Sequence, residues 1–272
     1  FRYVKPTSND ALRAMAADGV ERAIAFTQYP QYSCSTTGSS LNELWRALDR
    51  TGLRDRFEWS LIDRWPVHPG FIAAMTDTVR EGLERFPEAK RSGVLILFSA
   101  HSLPLHVIDR GDSYPQEVGA SVQHVVEKLA APNPYLLAYQ SDVGPVRWLG
   151  PSTESVIRHL GAKGFKDVLV VPIAFTSDHI ETLSELDKEY GDVAKEAGIT
   201  NYVRAPAMND RPLFLDALAD IVRDHMTGER RYSTQYLTRC AGCTNPACRQ
   251  IPAALEAATP PAAAVAASGS SG

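Results

Sequence analysis

The sequence lacks any long hydrophobic run. Charged and polar residues interrupt every apolar stretch well before the ~20 residues that a membrane-crossing helix requires. This excludes a helical membrane span and leaves peripheral contact with a bilayer open. An excess of positive charge is also absent: 28 Lys and Arg stand against 32 Asp and Glu, for a net charge of −4. Nucleic acid is therefore not expected as the main partner, because neutralising phosphates takes clustered cations. The chain opens on Phe1-Arg2-Tyr3-Val4-Lys5, with no initiator Met, no apolar signal region and no Arg/Ser-rich transit segment. The expectation is that processing or truncation has removed the true N-terminus. Cysteine is scarce, 4 in 272 residues, and its placement is correspondingly informative.

What is present is enough for one large or two medium α/β domains, with 44 % apolar residues to fill a core. Candidate strands fall at 22–27, 57–62, 93–99, 135–140 and 167–173. Several are apolar throughout, as in strands covered on both faces. Helical patterns lie near 8–18, 40–50, 70–86, 115–130, 152–163, 180–197 and 212–226. Pro115 and Pro151-Ser-Thr-Glu read as helix starts. Such alternation implies Rossmann-like parallel sheets flanked by helices, with ligands in the crevice at the carboxyl ends of strands. The division expected is 1–66 as part of a first α/β unit and 67–210 as a second. A helix and cysteine-rich extension then occupies 211–250. Residues 251–272, Pro/Ala-rich and then Ser/Gly, read as a disordered tail.

Three groups of residues carry chemistry. His101, in Phe98-Ser-Ala-His-Ser-Leu-Pro104, follows an apolar strand by two residues. That is where ligand sites gather, although a hydrogen-bonded loop histidine would fit as well. Asp178, His179, Glu181 and Glu185 follow the strand at 167–173. The three carboxylates recur at i, i+3 and i+7, one helical face, where their oxygens suit hard cations and the imidazole suits iron. A solvent-facing acidic cluster, favoured by the helix dipole, is the plainer alternative. Cys240, Cys243 and Cys248 form Cys-x2-Cys-x4-Cys, a spacing that favours metal over disulfides, with Cys34 as the remaining candidate ligand. Spacing leaves a [2Fe–2S] cluster and structural zinc equally open.

Five motifs resemble ferrochelatases of the eukaryotic type, which insert ferrous iron into protoporphyrin IX. They are Gln28-Tyr-Pro-Gln-Tyr-Ser-Cys-Ser-Thr-Thr-Gly38, Asp63-Arg-Trp-Pro-Val-His68, Ser99-Ala-His-Ser-Leu-Pro104, Trp148-Leu-Gly-Pro151 and Phe175-Thr-Ser-Asp-His-Ile-Glu-Thr-Leu183. The resemblance runs from Phe1 to about Arg249. It implies a chelatase fold of two similar α/β domains, the first incomplete here. It implies His101 as the base that takes pyrrole protons and Glu181 as the carboxylate facing it. Asp178, His179 and Glu185 would form a polar chain for protons or iron, with His68 and Asp220 as further active-site positions. Tyr29, Trp65, Trp148 and Phe175 would line or support the porphyrin pocket, with Arg2 and Ser141 as polar contacts. Cys34, Cys240, Cys243 and Cys248 fall on the positions that hold a [2Fe–2S] cluster in animal and some fungal and bacterial members. The resemblance further implies a homodimer on the matrix face of the mitochondrial inner membrane.

Two departures stand out. The chain begins inside the family's first domain, without the opening strands and the apolar lip. Pro69 follows His68 where animal members have a second histidine, so a metal role there does not carry over. A cobalt chelatase of the same fold and a non-catalytic iron–sulfur or heme-binding module remain the competing readings.

Overall fold

The computed structural model describes residues 4–237, 240–245 and 248. Two parallel sheets organise them. The first pairs β1 (Arg22–Phe26) with β2 (Glu58–Ile62). Two helices cover it, α1 (Ser8–Ala17) and α2 (Ser39–Thr51), and its core gathers Leu12, Trp45, Leu48, Phe57, Trp59 and Leu61. Helix α1 starts where it does because Thr7 and Asp10 cap each other reciprocally. Between β1 and α2 the chain makes a short π-helical turn, Cys34–Gly38.

The second sheet has four parallel strands in the order β4 (Tyr135–Gln140), β3 (Leu95–His101), β5 (Asp167–Pro172) and β6 (Asn201–Arg204). Strand β3 is buried along nearly its whole length because both its faces are covered. Leu95 and Leu97 pack on one side, with Ile157 and Leu160 of α6 (Thr153–Ala162) and Ala194 of α7 (Tyr190–Glu196). Ile96 and Phe98 pack on the other, with α3 (Pro69–Glu84), α5 (Tyr114–Leu129) and α8 (Pro212–Thr227). Burying each such side chain contributes ~1.5–3 kcal/mol relative to exposure. Gly70 lets α8 approach α3 closely, since a Cβ there would sit 2.7 Å from the Ala217 Cβ. Short helices α4 (Leu105–Asp109) and α9 (Thr234–Leu237) complete the order. Among the described residues no helix is long and apolar enough to cross a membrane.

The α/β class with parallel sheets is as expected, and three local differences matter. Strand β3 extends through His101, which pairs in register with Gln140, while Ser102 N–H donates to the Gln140 carbonyl. Strand β6 carries little sequence signal, being four half-buried residues at a sheet edge. The helix expected at 180–197 is two pieces, a π-helix at Glu181–Glu189 followed by α7. The expected tail from 251 to 272 lies outside the described residues.

Candidate active site

The strand order sets the location. From β3 the chain leaves for β4, then returns past β3 to form β5, so connections depart in opposite directions from the carboxyl ends of β3 and β5. Such a switch point opens a crevice in parallel sheets. His101 ends β3 on one side of it, and the segment from Phe175 to Glu185 follows β5 on the other. The His101 Nδ1 lies 2.6 Å from the Ser102 carbonyl. A carbonyl can only accept, so Nδ1 carries the proton and Nε2 keeps the basic lone pair.

Gln140, fully buried and opposite His101, connects the two sides. Its Nε2 donates to the Glu181 carbonyl at 3.1 Å and to Glu185 Oε2 at 2.9 Å, while its Oε1 accepts from Ser99 Oγ at 2.9 Å. Glu185 also accepts from Ser141 N, Ser141 Oγ and Tyr190 Oη, at 2.7, 2.6 and 2.9 Å. Ser141 reaches it from a left-handed backbone conformation, φ 65°. Such backbone strain in a non-glycine residue persists only where its surroundings over-determine it.

The three acidic side chains do not form one shared cluster. Asp178 precedes the π-helix and turns to Arg204 Nη1 and Asn209 Nδ2, both at 2.9 Å. Glu181 Oε2 lies 3.1 Å from His179 Nδ1, and the His179 ring meets Phe175 edge-on at 4.7 Å. Among the described residues no group of three or more His, Cys, Asp or Glu side chains stands ready to hold an ion. Burial works against the charge on Asp178, but the Asn209, Arg204 and Thr182 contacts prevail and hold its carboxyl below the ordinary 3.8. The stabilisation from that ionised form is present above pH 3.8 and lost as pH falls through the lowered value. Asp178→Asn is therefore expected to lower the urea midpoint at pH 7, and to do so less and less below pH 3.8, as measured by a pH series of unfolding curves.

Two other expected residues border a different space. His68 and Trp65 line a cavity of about 1170 Å³ with Asp63, Arg64, Ile221 and His225, and neither His101 nor Glu181 borders it. His68 Nε2 is 3.5 Å from Asp224, and its Nδ1 is buried without a hydrogen bond. Trp65 donates Nε1–H to the Thr27 carbonyl at 2.9 Å. Asp220 pairs with Arg223 on α8. Tyr29 is half exposed, and Trp148 donates to the Val143 carbonyl at 2.8 Å. Arg2 lies outside the described residues. Sequence reasoning passed over Gln140, although a Gln closing the apolar run Tyr-Leu-Leu-Ala-Tyr is the same strand-end signal that singled out His101. Arg204 and Asn209 carry no comparable signal.

Among the described residues no disulfide joins the cysteines. Cys34 N–H donates to Asp112 Oδ2 at 2.8 Å, and Asn42 Nδ2 donates to Cys248 Sγ at 3.2 Å. Burial pushes the Cys34 thiol up to about 12, with Asp112 and Cys240 adding to the rise. Cys240 is raised by burial, then by Asp112, Cys243 and Cys248. Segments distant in sequence meet here: Asn42 of α2 reaches Cys248, and the Cys240 backbone lies against Gly111, next to the Asp112 that holds Cys34 N–H. Four thiols are a donor set whose chemistry suits an iron–sulfur group, although among the described residues no three of them are gathered as a ready metal site.

The ferrochelatase family model matches residues 1–226. The mitochondrial ferrochelatase of Bos taurus is 55 % identical over 251 residues, 92 % of this chain and 60 % of that protein. That of Xenopus laevis is 56 % identical over 249 residues, 91 % of this chain and 61 % of its own length. The chain therefore spans about 60 % of these curated relatives. Among solved structures, SirB from Bacillus subtilis with Fe3+ aligns with a TM-score of 0.59 at 12 % identity, covering 82 % of this chain and 79 % of that one, which supports the fold. Motifs, sheet order and relatives agree, and the chain belongs to the ferrochelatase family.

Proposed function

We propose that this chain carries the iron-inserting half of a ferrochelatase site, acting on ferrous iron and protoporphyrin IX to give protoheme. The observation that carries this reading is the His101–Gln140–Glu181 arrangement across the switch point. Inserting a dication into a porphyrin releases two pyrrole protons, so a base must face the ring. His101 Nε2, freed by the Nδ1 contact to Ser102, takes that role. Glu181, beside His179, receives the second proton or the entering iron. His179 and Glu185 continue a polar route away from the ring, with Ser141 and Tyr190 bonded to its far end, and Asp178, drawn to Arg204 and Asn209, stands beside it. Phe175 supplies an aromatic wall, with Ser141 and Arg2 as polar contacts; Tyr29, Trp65, Trp148, His68 and Asp220 join the site on the family resemblance alone, His68 and Trp65 bordering the separate cavity instead.

Cys34, Cys240, Cys243 and Cys248 would hold a [2Fe–2S] cluster, which supplies a cross-link between the first unit and the C-terminal segment rather than redox chemistry. The mitochondrial relatives support a mitochondrial location; a homodimer and peripheral attachment to the matrix face of the inner membrane are part of the same proposal, on the family resemblance. Anaerobic incubation of the chain with Fe(II) and protoporphyrin should extinguish porphyrin fluorescence and yield a heme spectrum. Unchanged fluorescence, with cobalt entering a sirohydrochlorin-type ring instead, would overturn the reading.

A further inference from the structure

Outside the crevice, three ionisable side chains lie together at the edge of the cavity, one of them buried and two half-buried. Asp63, 2 % exposed, directly follows β2. Its Oδ2 accepts from Arg64 Nε at 2.8 Å, and Arg64 Nη1 meets Glu117 Oε1 at 2.5 Å. Glu117 Oε2 accepts from Tyr32 N at 2.7 Å, and its Oε1 also accepts from Ser113 Oγ at 2.8 Å. The Arg64 guanidinium lies 4.3 Å above the Tyr32 ring. Two acids and one base leave a net negative charge, so the group needs further donors. Ser233 provides two: its N–H donates to Asp63 Oδ1 at 3.1 Å and its Oγ–H to Oδ2 at 2.7 Å.

Ser233 stands seven residues before Cys240, and Tyr32 two residues before Cys34. The Tyr32 hydroxyl packs against Gly38, which closes the π-turn opened by Cys34. The same network therefore grips both chain segments that supply thiols. Around Ser233 the grip is extended by Leu61 N–H donating to the Arg231 carbonyl at 2.6 Å and by Trp45 Nε1–H donating to Tyr236 Oη at 3.3 Å. Removing the Ser233 hydroxyl would leave Asp63 Oδ2, buried, with Arg64 Nε as its one remaining donor, while the backbone N–H of residue 233 still reaches Oδ1.

We propose that Ser233 and Asp63 are positioning residues, a pin that registers the three C-terminal cysteines against Cys34. The proposal rests on the four-thiol site above, but its test needs neither porphyrin nor turnover. The full chain, in reduced form, is titrated with Cd2+ and thiolate-to-cadmium charge-transfer absorption is followed. The parent should bind Cd2+ more tightly than Cys34→Ser. Ser233→Ala should weaken binding about tenfold, and Ser233→Thr, which keeps both donors, should restore it. In a Cys34→Ser background Ser233→Ala should have no further effect, because the three local thiols no longer need registering. A general loss of stability would weaken both backgrounds alike, and that result would overturn the proposal. So would parental affinity in Ser233→Ala, no rescue by Thr, or a parent no tighter than Cys34→Ser. A chain that passes this test and never inserts iron would overturn the proposed function alone.

Discussion

His101→Ala is expected to lower the rate of iron insertion by about 10²–10⁴-fold while leaving protoporphyrin binding largely intact. The loss follows from removing a positioned base. With Nδ1 tied to the Ser102 carbonyl, Nε2 is the only imidazole lone pair facing outward. Alanine leaves the strand itself undisturbed, because the pairing of residue 101 with Gln140 is made by the backbone. Binding should therefore survive, since an apolar macrocycle is held mainly by its walls. Stopped-flow fluorescence separates the two quantities: quenching on mixing reports binding, and slower loss with Fe(II) reports metallation. Added imidazole, small enough to enter the vacated space, should recover part of the rate. Near-normal turnover in His101→Ala would remove this residue from the base role.

Cys243→Ser is expected to abolish the iron–sulfur group. The parent chain should carry about two irons and visible thiolate-to-iron absorption, and the variant should lose both. A serine hydroxyl is a harder and weaker ligand than a thiolate, so one substitution breaks a four-ligand set. Iron and sulfide analysis with visible spectroscopy checks this directly. Stoichiometric zinc and no iron in the parent would replace the cluster with a structural zinc site. Because Cys34 and Cys240 come from distant parts of the sequence, the variant should also lose protection of its C-terminal segment against limited proteolysis.

Much of the framework was legible because its signals are local. The apolar runs at Leu95–Phe98 and Val168–Val171 are covered on both faces, and their composition says so. The helix start expected at Pro115 follows from a ring that fits the first helical turn and needs no donor, and Pro69 and Pro212, not singled out as starts in the sequence, open helices in the same way. What escaped depends on distant partners. The i, i+3, i+7 spacing of Asp178, Glu181 and Glu185 suggested one acidic face. Arg204 and Asn209, more than 25 residues on, draw Asp178 aside. Gln140 bonds the Glu181 carbonyl, and the helix beyond it is π rather than α. Asp63 and Ser233 look like ordinary surface residues until folding brings them together.

The pin between Asp63 and Ser233 also imposes an order of events on a growing chain. The two residues are 170 apart, and everything in the four-stranded sheet lies between them. As synthesis proceeds from the N-terminus, the first sheet can form early, but the Asp63 carboxylate has no Ser233 to receive until 170 further residues have emerged. Until then the cheapest state for Asp63 is hydrated, which keeps the end of β2 loose. Closure of the molecule is thus deferred to the moment the cysteines arrive, and a chain cut short before Ser233 should be recognisable to a protease by that unsealed edge.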